Sequence, residues 1–270
     1  MGRAVTAPES LFVTGAARGI GLAIVRKFAA AGYSVGAVDV DEAGLATLKD
    51  EAAHHGWSVW TSVMDVTDIG AWQRALSEFV ATADGRLDIL VNNAGLLASG
   101  EFADIPAARH KQQVDVNVTG VMFGCHAAFG YLRDTAGARV LNMCSASAIY
   151  GQAELASYSA TKFAVRGLTE ALEIEWRPHD ISVMALWPLF VDTALLTGVK
   201  TGSTESLGIH LTVDDVADAA WRALHRRSRV PKVHVPVGGQ TKFAYYLSQY
   251  SPGWATRLVN KRLAHQDIAH

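Results

Sequence analysis

The chain has 270 residues, 50% hydrophobic and 19% charged, with a formal net charge of -2. That balance argues against a polyanion-binding surface, so no nucleic-acid partner is expected, and the length suits one α/β domain with a modest extension. The two cysteines, Cys125 and Cys144, have no ligand-like neighbours and no histidine pair has metal-binding spacing, so neither a disulfide framework nor a metal site is expected.

In chain order, the apolar run Leu11-Phe12-Val13 leads straight into Thr14-Gly15-Ala16-Ala17-Arg18-Gly19-Ile20-Gly21. Leu22, Ile24, Val25 and Phe28 then share a helical face that stops at Gly32. The pattern continues with strand 34–38, helix 42–55, strand 57–64, helix 69–82 and strand 87–91, which ends in Asn92-Asn93-Ala94-Gly95. A long helix is predicted over about 107–132, then strand 139–143, helix 155–176 stopped by Pro178, and strand 181–186. A helix near 213–226 and a last strand over 232–237 complete the rhythm. Strands that are continuous apolar runs, alternating with helices, predict a parallel sheet covered on both faces. The expected architecture is therefore a single doubly wound α/β domain of about seven strands, with its core over about 10–240 and a C-terminal helical extension over 240–270.

Two segments break the rhythm. Residues 190–210 carry Gly198, Gly202, Ser203 and Gly208 among apolar residues, which predicts a lid that closes over bound ligands. The tail after Gly239 carries Phe243, Tyr245, Tyr246, Leu247, Tyr250 and Trp254 together with Lys242, Arg257, Lys261 and Arg262. Packing on the subunit or on a partner subunit is the favoured reading of these aromatics, and contact with a membrane surface is the other. Ser251-Pro252 has the form of a helix cap followed by proline at the first helical position. No apolar run approaches the ~18–20 residues needed to span a bilayer. Met1 to Ser10 lacks a signal pattern, so the expected location is the cytoplasm.

Three groups of residues carry chemistry. Gly15, Gly19 and Gly21 sit between a strand and a helix, where a tight turn brings backbone amides and a helix N-terminus up to a pyrophosphate. Asp39 ends the second strand, where a carboxylate accepts hydrogen bonds from ribose hydroxyls and repels a 2′-phosphate. It therefore points to NAD, although Arg18 in the turn pulls weakly toward NADP. Tyr158 and Lys162 lie four apart on a predicted helix and share one face, so the ammonium can stabilise a phenolate. Ser145 stands at a strand end, where its hydroxyl could hold a substrate oxygen.

Together these motifs resemble the short-chain dehydrogenase/reductase family over about residues 10–240. The turn from Thr14 to Gly21, Asp65-Val66, Asn92 to Gly95, Asn117, Ser145, Tyr158 to Lys162 and Pro188 fall in that family's order. The resemblance implies a Rossmann-type domain in which Tyr158 is the general acid/base and Lys162 binds the nicotinamide ribose while lowering the tyrosine pKa. It implies that Ser145 orients the substrate oxygen and that Asn117 helps hold a relay water. For the cofactor it implies contacts from Gly15, Arg18, Gly19, Ile20, Gly21 and Asp39, with Asp65 and Val66 facing the adenine. Asn92, Ala94 and Gly95 would line the cleft, and Pro188, Val191 and Thr193 would hold the carboxamide. Leu189 stands where the family commonly has glycine, which leaves Val191 and Thr193 less firmly assigned.

The expected activity is hydride transfer between NAD and an uncharged, hydrophobic secondary alcohol or ketone. Leu96, Ile149, Tyr150, Leu155, Leu189, Phe190, Leu195 and Leu196 would form the pocket wall. The other readings are a cofactor-binding sensor without chemistry and a membrane-surface dehydrogenase. The long helices 107–132 and 155–176 resemble those through which family members pair, so a homodimer or homotetramer is expected.

Overall fold

The computed structural model describes residues 8–193, 201, 208, 211–226, 232–252, 254, 258 and 261–262. Most of the expected lid, including Leu195 and Leu196, lies outside the described residues, as does Arg257 in the tail.

Chain order gives β1 (Ser10–Thr14), α1 (Gly19–Ala30), β2 (Ser34–Asp39), α2 (Glu42–His55), β3 (Val59–Val63), α3 (Ile69–Thr82) and β4 (Ile89–Asn92). There follow α4 (Ala107–Val114), α5 (Gly120–Arg133), β5 (Arg139–Met143), α6 (Ala156–Trp176), β6 (Ser182–Trp187), α7 (Val213–Leu224), β7 (His234–Pro236) and α8 (Gly239–Tyr250). Seven parallel strands form one sheet in the order β3-β2-β1-β4-β5-β6-β7. The doubly wound prediction is met.

Alternation along β1 shows how both faces are filled. Phe12 points into a core with Trp72 and Phe79 of α3, Cys125 of α5 and Val165 of α6. Its neighbours Leu11 and Val13 point into the opposite core, with Ile24 and Phe28 of α1, Leu48 of α2 and Val216 of α7. A strand apolar at every position is the consequence of burial on both sides. The edge strand β3 is only half-buried, and its sequence VWTSV is correspondingly mixed.

Several boundaries differ from the expectations. The strand predicted over 57–64 begins only at Val59, because Trp57 N–H still donates to Ala52 O as α2 closes. The helix predicted as continuous over 107–132 contains a π turn, Asp115–Thr119, between α4 and α5. The last strand is shorter than predicted, three residues rather than six. Ser251 ends α8, and its hydroxyl donates to Leu247 O, so its side chain serves the preceding helix.

Both cysteines are free and buried, and burial pushes their thiols up, to about 12 for Cys125 and about 11 for Cys144. Among the described residues no group of three or more His, Cys, Asp or Glu could hold a metal, and no helix is long and apolar enough to cross a membrane.

Candidate active site

The carboxyl ends of β1, β2, β4, β5 and β6 gather most of the predicted residues. Between β1 and β4 the strand order reverses, and loops leaving adjacent strands in opposite directions open a crevice there. The β1–α1 turn forms one side of it. Gly15 has φ 65° and would bring a Cβ within 2.9 Å of the Ala94 Cα. At Gly21 a Cβ would fall 2.0 Å from Gly15 O, so no side chain fits while the turn is closed.

Helix α1 starts with no side-chain cap, since Arg18 is extended and exposed, and its first-turn N–H groups are left for a ligand. Ile20 is half-buried against the neighbouring core. Asp39 stands beside this turn. Its Oδ2 accepts from Ala17 N–H at 3.0 Å and its Oδ1 from Asp41 N–H at 3.1 Å, which fixes the carboxylate at the mouth of β2. An uncapped helix, a glycine turn without room for side chains and a fixed carboxylate together fit a dinucleotide.

Two residues not predicted as ligands hold the turn in place. Thr14 Oγ1 accepts from both Asn93 N–H and Ala94 N–H at 3.1 Å. Asn93 Nδ2 donates to Thr14 O at 2.9 Å and Gly15 O at 3.1 Å, tying β4 to the β1 turn. Their signal was adjacency: each sits beside a residue singled out for the cleft. Asn92 itself is buried and turns away, donating to Asn142 Oδ1 at 2.9 Å and Cys125 Sγ at 3.5 Å. Its expected place in the cleft is thus an indirect one.

Asp65 is exposed and accepts from the backbone and hydroxyl of Thr67, both at 2.8 Å, while Val66 is buried. Pro188 accepts from Ala146 N–H at 2.9 Å, coupling the end of β6 to the loop after β5. Val191 is buried and bridges to Leu211. Thr193 packs over Gly19, where a Cβ would lie 3.7 Å from the Thr193 methyl. Leu189 is half-buried, and the backbone around it keeps both flanking connections.

The second side of the crevice holds Ser145, Tyr158 and Lys162. Ser145 caps a short 3₁₀ turn, Ala146–Ala148, and its Oγ lies 3.2 Å from both the nitrogen and the Oγ of Ser147. Ser147 in turn donates to Gln152 Oε1 at 3.0 Å. Lys162 is buried, donates to Met143 O at 2.8 Å and lies 5.4 Å from the Tyr158 ring centroid. Burial pushes the Tyr158 phenol up to about 12, against a hydrogen bond with Ser145 that lowers it. Burial also depresses the Lys162 ammonium. The expected lowering of Tyr158 by Lys162 is therefore not achieved by the protein's own groups. The ammonium is directed onto a carbonyl, and burial disfavours the charged form of each residue.

Asn117 lies in the π turn and is fully buried. Its Oδ1 accepts from Leu96 N–H at 2.7 Å, and its Nδ2 donates to Leu96 O at 2.8 Å and Thr161 Oγ1 at 3.2 Å. Both amide protons are committed, so the Asn117 side chain has no donor left for a relay water. Single-turn π bulges recur at functional sites because they redirect side chains within a helix. Of the expected pocket wall, Leu96, Ile149 and Tyr150 are half-buried around this cluster, whereas Leu155 and Phe190 are buried.

The family described as short chain dehydrogenase matches residues 9–203. The chain is 36% identical over 186 residues to a 3-alpha-(or 20-beta)-hydroxysteroid dehydrogenase of Mycobacterium bovis, covering 68% of this chain and 69% of that protein. Its fold is similar to a 3-ketoacyl-(acyl-carrier-protein) reductase from Brucella melitensis complexed with NADH, at 29% identity and a TM-score of 0.78 over 86% of this chain and 98% of that one. It is similar to the same degree, TM-score 0.78 and 27% identity, to a gluconate 5-dehydrogenase from Burkholderia cenocepacia in complex with NADP, over 87% of this chain and 95% of that one.

Proposed function

The chain belongs to the short chain dehydrogenase family, and from that membership we propose that it moves a hydride between NAD and an uncharged, hydrophobic secondary alcohol or ketone. As a family member it is an oxidoreductase that takes a nicotinamide cofactor. The observation that carries the finer reading is the Ser145–Tyr158–Lys162 cluster, with Lys162 Nζ 5.4 Å from the Tyr158 ring, facing a turn flanked by Asp39.

The nicotinamide, when bound, accepts or delivers the hydride. In oxidation Tyr158 takes the hydroxyl proton of the alcohol, and Ser145 holds the same oxygen in register. Lys162 would hold the nicotinamide ribose, and the positive charge of an oxidised nicotinamide would favour the Tyr158 phenolate, which burial disfavours in the protein alone. Asn117 is a positioning residue that ties the Leu96 loop to α6 through Thr161. Gly15, Arg18, Gly19, Ile20 and Gly21 hold the pyrophosphate, Asp39 the adenosine ribose, and Asp65 and Val66 the adenine. Ala94 and Gly95 line the cleft, with Asn92 beneath them, while Pro188, Val191 and Thr193 hold the carboxamide.

The apolar wall of Leu96, Ile149, Tyr150 and Leu189 favours a substrate without charge. We take residues 1–270 as one unit working in the cytoplasm, with the segment about 190–210 as its lid. A cofactor-reduction screen across diverse secondary alcohols tests the reading. NADH formation with apolar alcohols and none with charged ones is expected. Turnover confined to hydroxy acids would remove it.

The molecule is proposed to be a homodimer or homotetramer. Val114, Met122, Phe163 and Ile174 on α4, α5 and α6 are exposed, which supports pairing through these helices. Light scattering at micromolar concentration should give a multiple of the chain mass, and a monomer would contradict the assignment.

A further inference from the structure

Helix α8 has two contrasting faces. Its inner face packs Tyr245 against Trp187 and His234, at centroid distances of 5.4 and 6.1 Å, and buries Thr241. Its outer face carries Phe243, Tyr246, Leu247 and Tyr250, spaced i, i+3, i+4 and i+7, with Phe243 71% and Tyr250 89% exposed. Trp254 beyond it is also exposed. Among these aromatics Tyr245 packs on the chain's own body, Tyr246 touches it edge-on through Tyr245 at 5.3 Å, and Phe243, Tyr250 and Trp254 stay exposed.

Beside this face lies a cavity of about 290 Å³ at the β6–β7 edge, whose wall includes Arg222, Arg226, Lys232 and Lys242. None of its lining residues belongs to the Ser145–Tyr158–Lys162 cluster. The acid in the wall, Glu173, is paired with Arg177. Among the described residues no carboxylate lies within 4.0 Å of Arg226, Lys232 or Lys242, and Arg222 has only Asp218 at 3.9 Å. Lys232 is lowered by burial and then by the like charges of Arg226 and Lys242, so these three cations lie close enough to repel one another. The sequence extends the contrast. Residues 239–266 hold Lys242, Arg257, Lys261 and Arg262 and none of the 26 Asp and Glu of the chain.

We propose that α8 and the basic cavity beside it form a docking surface for a membrane bearing anionic lipid. The exposed Phe, Tyr and Leu side chains enter the headgroup boundary, where amphipathic aromatics are most stable. The basic cavity receives a lipid phosphate. A second copy of this chain is a poorer occupant, because a two-fold contact through an acid-free basic segment sets like charges against each other. A free anion would fill the cavity and leave the apolar stripe in water.

Co-sedimentation of the full chain with vesicles of phosphatidylcholine, with and without phosphatidylserine, tests this. Retention on the phosphatidylserine vesicles that weakens with added salt is expected. The variant Arg226→Gln/Lys232→Gln/Lys242→Gln should bind about a hundredfold more weakly. The variant Phe243→Ser/Tyr246→Ser/Tyr250→Ser should lose retention, and circular dichroism melts show whether both variants stay folded. No retention on either vesicle overturns the proposal. So does equal retention by wild type and the folded basic-to-Gln variant. Thermal protection by inorganic phosphate without vesicle binding would mark an anion site only, and a fall in oligomeric state in the aromatic variant without vesicle binding would assign the face to a second copy.

Discussion

Tyr158→Phe is expected to lower turnover by roughly 10²–10⁴-fold while leaving NAD affinity within a few-fold. The ring and its stacking volume over Lys162 stay and Ser145 keeps its hydrogen bonds with Ser147, so the loss is confined to the phenol hydroxyl and its bond with Ser145. Stopped-flow turnover alongside NAD titration separates the two effects. A variant that keeps more than about a tenth of the wild-type rate removes Tyr158 from the role, since a positioned base contributes more than that. The pH dependence follows from the same site. Burial holds the phenol at about 12, so the reactive phenolate fraction grows as pH rises. Lys162→Ala removes the proposed ligand of the nicotinamide ribose, so it is expected to weaken NAD binding together with turnover. Its rate loss should ease in alkali, where ionisation of the raised phenol no longer limits the rate.

Wild-type enzyme should prefer NAD over NADP by at least about a hundredfold in kcat/KM, equivalent to roughly 2.7 kcal/mol. Asp39 is held by Ala17 N–H and Asp41 N–H, so it cannot swing aside to admit a 2′-phosphate without giving up those bonds. Two like charges ~4 Å apart cost about 4 kcal/mol at an effective dielectric of 20, and solvent and the exposed Arg18 offset part of it. Asp39→Asn keeps an acceptor for Ala17 N–H and removes the charge, so it should shrink the preference mainly by admitting NADP. Asp39→Ala also frees the turn and should weaken both cofactors. Equal wild-type efficiency with the two cofactors would sink the assignment.

Why some of this was legible and some was not has physical causes. The glycine turn, Asp39, Ser145 and the Tyr158–Lys162 pair were readable because each depends on local spacing at the end of a strand or along one helix. The π turn was not, because one extra residue per turn barely disturbs an apolar pattern that runs on from α4 into α5. Helix α8 was readable as an extension but not in its bounds. It opens on Gly238-Gly239, and its exposed apolar stripe has the same periodicity as a buried one. Asn92 and Asn93 show the limit of motif reading. Adjacent in sequence, they point opposite ways on leaving β4, so one clamps the turn and the other is spent inside the core. Tyr158 and Lys162 were placed correctly together, yet the sense of the tyrosine's shift depends on burial, which spacing does not encode.

The strand order has a consequence for how the chain must be made. The centre of the sheet joins β1 to β4, and Ser10 meets Asp88 across a separation of 78 residues. A ribosome adding about 5–20 residues per second delivers β1 several seconds before its inner partner. Through that interval β1 can pair only with β2, and Leu11, Phe12 and Val13 present an apolar edge with open backbone groups. The nascent chain is thus most vulnerable to mispairing while residues 40–90 are emerging. A premature stop in that interval leaves an unfinished sheet with its stickiest strand outermost.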